Sequence, residues 1–148
     1  MAVVTEVLEY ETSAAPEFID ITDDVAEVVR RSGVAAGQVT VFSQHTTAAI
    51  KINENEPLLL RDLARILRQI APQSAYYEHN DLDRRDSVAP DECANGHSHC
   101  QHLFLSTSET LPVLNGAMAL GTWQRIFLVE LDHPRPRRVM VTVLGVEA

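Results

Sequence analysis

The 148 residues include 21 Asp or Glu against 12 Lys or Arg, a formal charge of -9, and that field repels phosphate backbones and anionic bilayers at long range. A general nucleic-acid or membrane-surface binder is thereby excluded, and the length suits a single domain, residues 1–148, able to bury about 68–70% of its unfolded surface. Two cysteines, Cys93 and Cys100, form neither a Cys-x-x-Cys motif nor a disulfide framework, and no apolar window approaches a membrane span, so free thiols and a cytoplasmic location are expected.

In chain order, Ala2–Glu11 mixes β-branched and polar residues and predicts a strand of imperfect period, with room for a bulge. Ala14-Ala15-Pro16 turns it into a short second strand, Glu17–Ile21, expected to pair with the first. A helix follows from Thr22 or Asp23 to Ser32: Val25, Val28 and Val29 share a stripe, acids precede them, Arg30 and Arg31 suit the C-terminal dipole, and Gly33 stops it. Gln38–Ile52 carries a strong strand signal broken by Gln44-His45-Thr46-Thr47. Four hydrogen-bonding side chains between apolar strands are either a surface turn or a polar pocket framed by both.

Pro57 opens a second helix running to Ile70, with Leu59, Leu63, Ile66, Leu67 and Ile70 on one stripe. Its N-terminus suits an anion, although Glu54 and Glu56 satisfy the same dipole more simply. Gln73–Cys93 then lacks apolar periodicity. Asp81–Asp86 reads as a solvated charge run, whereas Tyr76, Tyr77 and His79 either pack this loop onto the body or line a cleft.

Half of the six histidines fall in Asn95–His102. If that segment is extended, His97 and His99 leave one face and His102 the other. A metal would need a further ligand, which His45 and His79 offer. Strands are expected at Leu103–Ser106, Thr110–Leu114, Ala117–Leu120, Gln124–Leu131 and Arg137–Leu144, with Asn115-Gly116 as a two-residue type I′ turn. Glu130 stands out in an apolar strand. Buried, it needs an arginine or a metal; at a sheet edge it faces water.

Together, His45-Thr46-Thr47-Ala48, Ile52-Asn53-Glu54-Asn55, Tyr76–Asn80, Asn95–His99 and Leu120–Gln124 through Glu130 resemble the YjbQ-like family, often catalogued as secondary thiamine-phosphate synthase. The resemblance spans roughly residues 3–145. It implies an α+β domain with two packed, mainly antiparallel sheets, two main helices and a homotrimer. It further implies a histidine site at His45, His79 and His99, with His97 a more variable companion. The chain departs from the family pattern by adding Cys93, Cys100 and His102 around that cluster.

The activity implied joins hydroxymethylpyrimidine diphosphate to a thiazole phosphate with release of pyrophosphate. Such a displacement needs charge stabilisation on the leaving group and a wall against water. Thr46, Thr47, Asn95, Trp123, Gln124 and Glu130 are the expected substrate-binding residues, with zinc or magnesium as the metal. Imidazole favours zinc, whereas magnesium diphosphate sites favour oxygen ligands. Trp123 suits pyrimidine stacking, although a lone tryptophan in a β protein is more often a core or interface anchor. Two other functions fit the residues: a metal- or metabolite-binding trimer with incidental synthase activity, and a hydrolase using a zinc-bound water. No Gly-x-Ser-x-Gly, phosphate loop or dinucleotide fingerprint occurs.

Overall fold

The computed structural model describes residues 1–148. In order come β1 (Ala2–Glu11), β2 (Glu17–Asp20), α1 (Thr22–Ser32), β3 (Val34–Ser43), β4 (Ala48–Asn53), α2 (Pro57–Ile70), α3 (Gly96–His102), β5 (Ser108–Leu114), β6 (Ala117–Met118), β7 (Arg125–Glu130) and β8 (Pro136–Glu147). They form two antiparallel sheets, β1-β8-β3-β5-β6 and β2-β7-β4. This is the α+β architecture expected, with a third, short helix added. No helix is long and apolar enough to cross a membrane.

The strand period explains the layering. Val39 and Val41 of β3, Leu111 and Val113 of β5, and Val139, Val141 and Val143 of β8 leave one face of the larger sheet. They meet Ile50 of β4, Ile126 and Leu128 of β7, and Val25, Val28 and Val29 of α1 in one core. The alternate residues of β7, Phe127 and Val129, turn the other way and join Ala49, Leu131 and Leu67 of α2 in a second cluster. Strand β7 is therefore buried on both faces, which is why it reads as an unbroken apolar run.

Local chemistry sets the ends of the elements. Glu56 caps α2 by accepting from the Leu58 and Leu59 N–H groups, with Pro57 in the first turn, so the α2 N-terminus is satisfied from within the chain. Gly33 ends α1 at φ 72°, and β3 begins at once at Val34, earlier than the expected Gln38. Asn115 and Gly116 both take positive φ, 52° and 77°, as a type I′ turn requires.

Several expectations are corrected. Strand β1 alternates without a bulge and is paired along its whole length with β8, so β2 pairs with β7 instead; the irregularity lies in β3, between Val34 and Ala36. Leu103–Leu105 is a turn rather than a strand, with Ser106 bridging singly to Ile50, and the Ala117–Leu120 strand shortens to two residues. The α2 stripe is only partly used: Leu67 is buried, but Ile66 and Ile70 are exposed because α2 lies across the rim of the second cluster. Leu67→Ala should cost about 2–5 kcal/mol in denaturant unfolding, the range for deleting a buried leucine side chain.

The largest departure is Asn95–His102, which is helical. The Ser98 and His99 N–H groups turn back onto the Asn95 carbonyl, and the Gly96 N–H donates to Asn80 Oδ1 at 2.9 Å. A Cβ at Gly96 would lie 2.5 Å from the Tyr77 Cβ. Only glycine lets the tyrosine loop close onto the start of α3.

Asp20 ties β2, α1 and β7 together. It accepts from Arg125 Nε at 2.7 Å, from Thr22 N and Oγ1, and from Asn55 Nδ2. Burial pushes its carboxyl up, but the hydrogen bonds from Arg125, Thr22 and Asn55 outweigh it and bring the pKa to about 2. A folded pKa below the unfolded value of about 3.9 means stability that is present above that value and lost as pH falls towards 2. Asp20→Asn should therefore be less stable than the parent near neutrality, and the gap should narrow on acidification. Paired urea melts near neutrality and at about pH 3, between the folded and unfolded pKa values, measure it.

Candidate functional site

The polar break between β3 and β4 is a pocket wall. Gln44, His45, Thr46 and Thr47 line a cavity of about 410 Å³ with His79, Arg85, Glu92, Asn95, His99, Arg135 and Arg137. Four parts of the chain supply it: the β3–β4 turn, the irregular stretch between α2 and α3, α3 itself, and the start of β8 with the turn before it. None of the lining residues is hydrophobic. Its three arginines each meet a carboxylate, Arg85 with Glu92, Arg135 with Asp132 and Arg137 with Glu130, so the basin is lined by charge pairs rather than by free positive charge.

His79 and His99 stand edge to face, ring centroids 4.7 Å apart, and His79 Nε2 is buried without a hydrogen-bond partner. Burial, then the adjacent His79, pulls the His99 pKa below the usual imidazole value. His45 is lowered for a similar reason, burial first and Arg137 next. His45 Nε2 accepts from the Arg138 backbone N–H at 2.9 Å. A neutral imidazole whose Nε2 accepts carries its proton on Nδ1, which leaves His45 as a donor.

Beneath the basin lies a buried ion pair. Glu130 is fully buried and Arg137 is 2% exposed. Glu130 accepts from Arg137 Nε at 2.7 Å and from Arg137 Nη2, from Thr12 Oγ1 at 2.8 Å, and from the Leu131 and Asp132 N–H groups. Arg137 also donates to Thr47 Oγ1 at 2.9 Å, so the Glu130 carboxylate fixes a guanidinium that fixes the turn carrying His45.

The residues picked out from sequence thus divide. His45, Thr46, Thr47, His79, Asn95 and His99 share the basin. His97 does not, because two residues along a helix is about 200° of rotation rather than one strand face; it is buried beside Gln101, Leu131 and Asp132 in a separate cavity of about 390 Å³. By the same rotation His102 lies on the His99 side, and the two share a neighbouring cavity with Phe42 and Leu103. Glu130 has no free oxygen to offer a substrate. Trp123 is 71% exposed and lines another cleft with Asp20, Glu56 and Arg125. Gln124 accepts from the Gly121 N–H and closes a local turn.

Sequence reasoning missed Arg85, Glu92, Arg135 and Arg137. For Arg137 a signal existed: it is in phase with Val139, Val141 and Val143 on the buried face of β8, where a lone arginine demands a carboxylate.

Residues 6–146 match the family described as UPF0047 protein YjbQ-like. A UPF0047 protein of Methanothermobacter thermautotrophicus is 46% identical over 145 residues, covering 98% of this chain and 94% of its own. UPF0047 protein YugU of Bacillus subtilis is 33% identical over 139 residues, 93% of this chain and 97% of its own. Among solved structures, a hypothetical protein from Aeropyrum pernix K1 superposes with TM-score 0.86 at 33% identity, covering 97% of this chain and 99% of that one. A YbjQ-like protein of unknown function from Sulfolobus solfataricus P2 gives 0.83 at 35% identity, with the same coverage. The family model, the fold and the near full-length matches agree that the chain belongs to the YjbQ-like UPF0047 family.

Proposed function

We propose that the basin binds a phosphorylated small molecule together with a divalent transition metal. The reaction it serves is displacement of a phosphate-bearing leaving group, with thiamine-phosphate synthesis from hydroxymethylpyrimidine diphosphate and thiazole phosphate as the specific case. The observation that carries this reading is the wall itself, three imidazoles and three guanidiniums with no apolar side chain. Arg85, Arg135 and Arg137 would donate to phosphoryl oxygens alongside their carboxylate partners Glu92, Asp132 and Glu130, and the N–H of His45 is a further donor.

The donor set fits a metal at two of the three histidines. His79 has a buried ring nitrogen without a partner and packs edge to face on His99, whereas the Nε2 lone pair of His45 is engaged by Arg138. The three histidines also do not bring their ring nitrogens within 4.8 Å of one another. His79 and His99 would therefore hold the ion and His45 the anion. Imidazole donors select a zinc-class ion over magnesium, and such an ion would supply charge neutralisation on the leaving group. The protein's own part is to place the three arginines before substrate arrives, which the Glu130 and Thr47 contacts do for Arg137.

One observation favours a second reading, a metabolite-binding protein with incidental synthase activity: the basin has no apolar wall, and no Phe, Tyr or Trp ring, to shield a pyrimidine cation, and Trp123 is elsewhere. Calorimetric titration with pyrophosphate, with and without zinc, tests the shared part. Binding that weakens at least tenfold in Arg135→Ala is expected, and no binding removes the proposal. Product assay by chromatography separates the readings, since binding without turnover leaves only the second.

A homotrimer belongs to this proposal. The outer face of the larger sheet presents Val3, Phe42, Leu114, Leu144 and Val146 to solvent in a single protomer, an apolar surface that further copies of the chain would cover. Light scattering should give three times the monomer mass, and Leu144→Asp should lower it; a monomer across micromolar dilution would exclude the assembly.

A further inference from the structure

Outside the basin, one group of side chains already has the spacing of a metal site. Cys93 Sγ, an Asp132 carboxylate oxygen and a His133 ring nitrogen all lie within 4.8 Å of one another, and they are the only three or more such ligands in the chain that do. Cys93 Sγ is 3.7 and 3.8 Å from the two Asp132 oxygens. Zinc bonded tetrahedrally to a thiolate and a carboxylate sets those two atoms about 3.5 Å apart, so this edge is close to preformed.

The surroundings orient the ligands. His133 Nδ1–H donates to the Pro134 carbonyl at 3.0 Å, which leaves Nε2 as the lone-pair nitrogen, the arrangement of supported metal-ligating histidines. Asn95 Nδ2 donates to Asp132 Oδ2 at 3.0 Å and steadies the carboxylate. The place of the cation is taken by a side chain. The Arg135 guanidinium donates to His133 Nε2 and sits 3.5 Å from Asp132, so the pair already holds positive charge between them.

We propose that Cys93, Asp132 and His133 form a second divalent-metal site, selective for zinc-class ions, with a fourth position open to water. A thiolate, a carboxylate and a neutral imidazole balance a dication. Binding replaces the thiol proton: Cys93 S–H breaks, a sulfur–metal bond forms, the proton leaves to solvent, and no oxidation state changes. The ion would join the irregular stretch before α3 to the β7–β8 turn. Arg135 is a competitor, and its removal should strengthen binding.

The test uses cobalt(II), because a thiolate ligand gives a sulfur-to-metal charge-transfer band in the near ultraviolet that a site of histidines alone lacks. The full-length protein should develop this band, and so should Cys100→Ser and His99→Ala, which spare the site. Cys93→Ser should lose it with its circular dichroism unchanged. His133→Ala should bind about 10–100-fold more weakly, the range in which loss of even a ligand's supporting hydrogen bond is felt. Arg135→Ala should bind at least as tightly as the parent. Absence of the band from the parent protein, or its survival in Cys93→Ser, overturns the assignment, and neither outcome depends on whether the basin binds phosphate.

Discussion

Glu130→Ala is expected to destabilise the fold by about 3–5 kcal/mol, as much as the larger truncations in the apolar core. The reason is what remains after the carboxylate is gone. Arg137 stays 2% exposed with its charge unpaired, the Asp132 N–H loses its carboxylate acceptor, and the Leu131 N–H and Thr12 hydroxyl are left with only the Thr47 and Arg135 carbonyls. Glu130→Gln keeps the shape but not the charge and should still lose much of this. The double variant Glu130→Ala, Arg137→Leu should recover part of the loss, since it removes the stranded guanidinium as well. Equilibrium urea unfolding of the three variants measures it. Single variants within half a kcal/mol of the parent would mean that the pair contributes nothing to holding β7 against β8.

Glu130 also shows where sequence reading reached and where it stopped. A carboxylate within Arg-Ile-Phe-Leu-Val-Glu can be flagged from pattern alone, and so can the alternatives for its partner. Choosing the arginine requires the β7–β8 connection to bring residue 137 back beside residue 130, a tertiary fact. The alternating strands, α1, α2 and the Asn115-Gly116 turn were legible because each is specified by local period or turn chemistry. Helix α3 was not. Its seven residues, Gly-His-Ser-His-Cys-Gln-His, carry no apolar stripe, and its inward residues are the polar His97, Ser98 and Gln101, held by hydrogen bonds to Leu131 and Ala71 that no periodicity announces. The wrong period placed His97 and His99 on one face, while the grouping of His45, His79 and His99 rested on family resemblance and the length of the intervening loop. Arg85 and Glu92 were hidden for another reason. Within a run of charge nothing in composition separates a solvated pair from one folded onto a pocket.

His99→Ala is expected to lower zinc affinity of the basin by at least 100-fold, whereas His97→Asn should change it by less than threefold, although the two residues are neighbours but one. The opposite orientations on α3 are the cause: His99 faces His79 across the basin, and His97 is buried in the other cavity, bonded to Ser98 Oγ. His102→Ala is no neutral control, because it shares a cavity with His99. Competition with a chromophoric chelator in a Cys93→Ser background confines the measurement to the basin. The pH dependence follows from the ligand form. Metal needs neutral imidazole, and His99 is held below the ordinary pKa of about 6.5 by burial and by His79, so it stays neutral, and competent, to lower pH than an exposed histidine would. Affinity should therefore persist to lower pH than it would if His99 were an exposed histidine, and fall as the solution becomes acid enough to protonate the ligands. An affinity already halved above neutrality, or His97→Asn and His99→Ala binding alike, would show that His99 does not hold the ion.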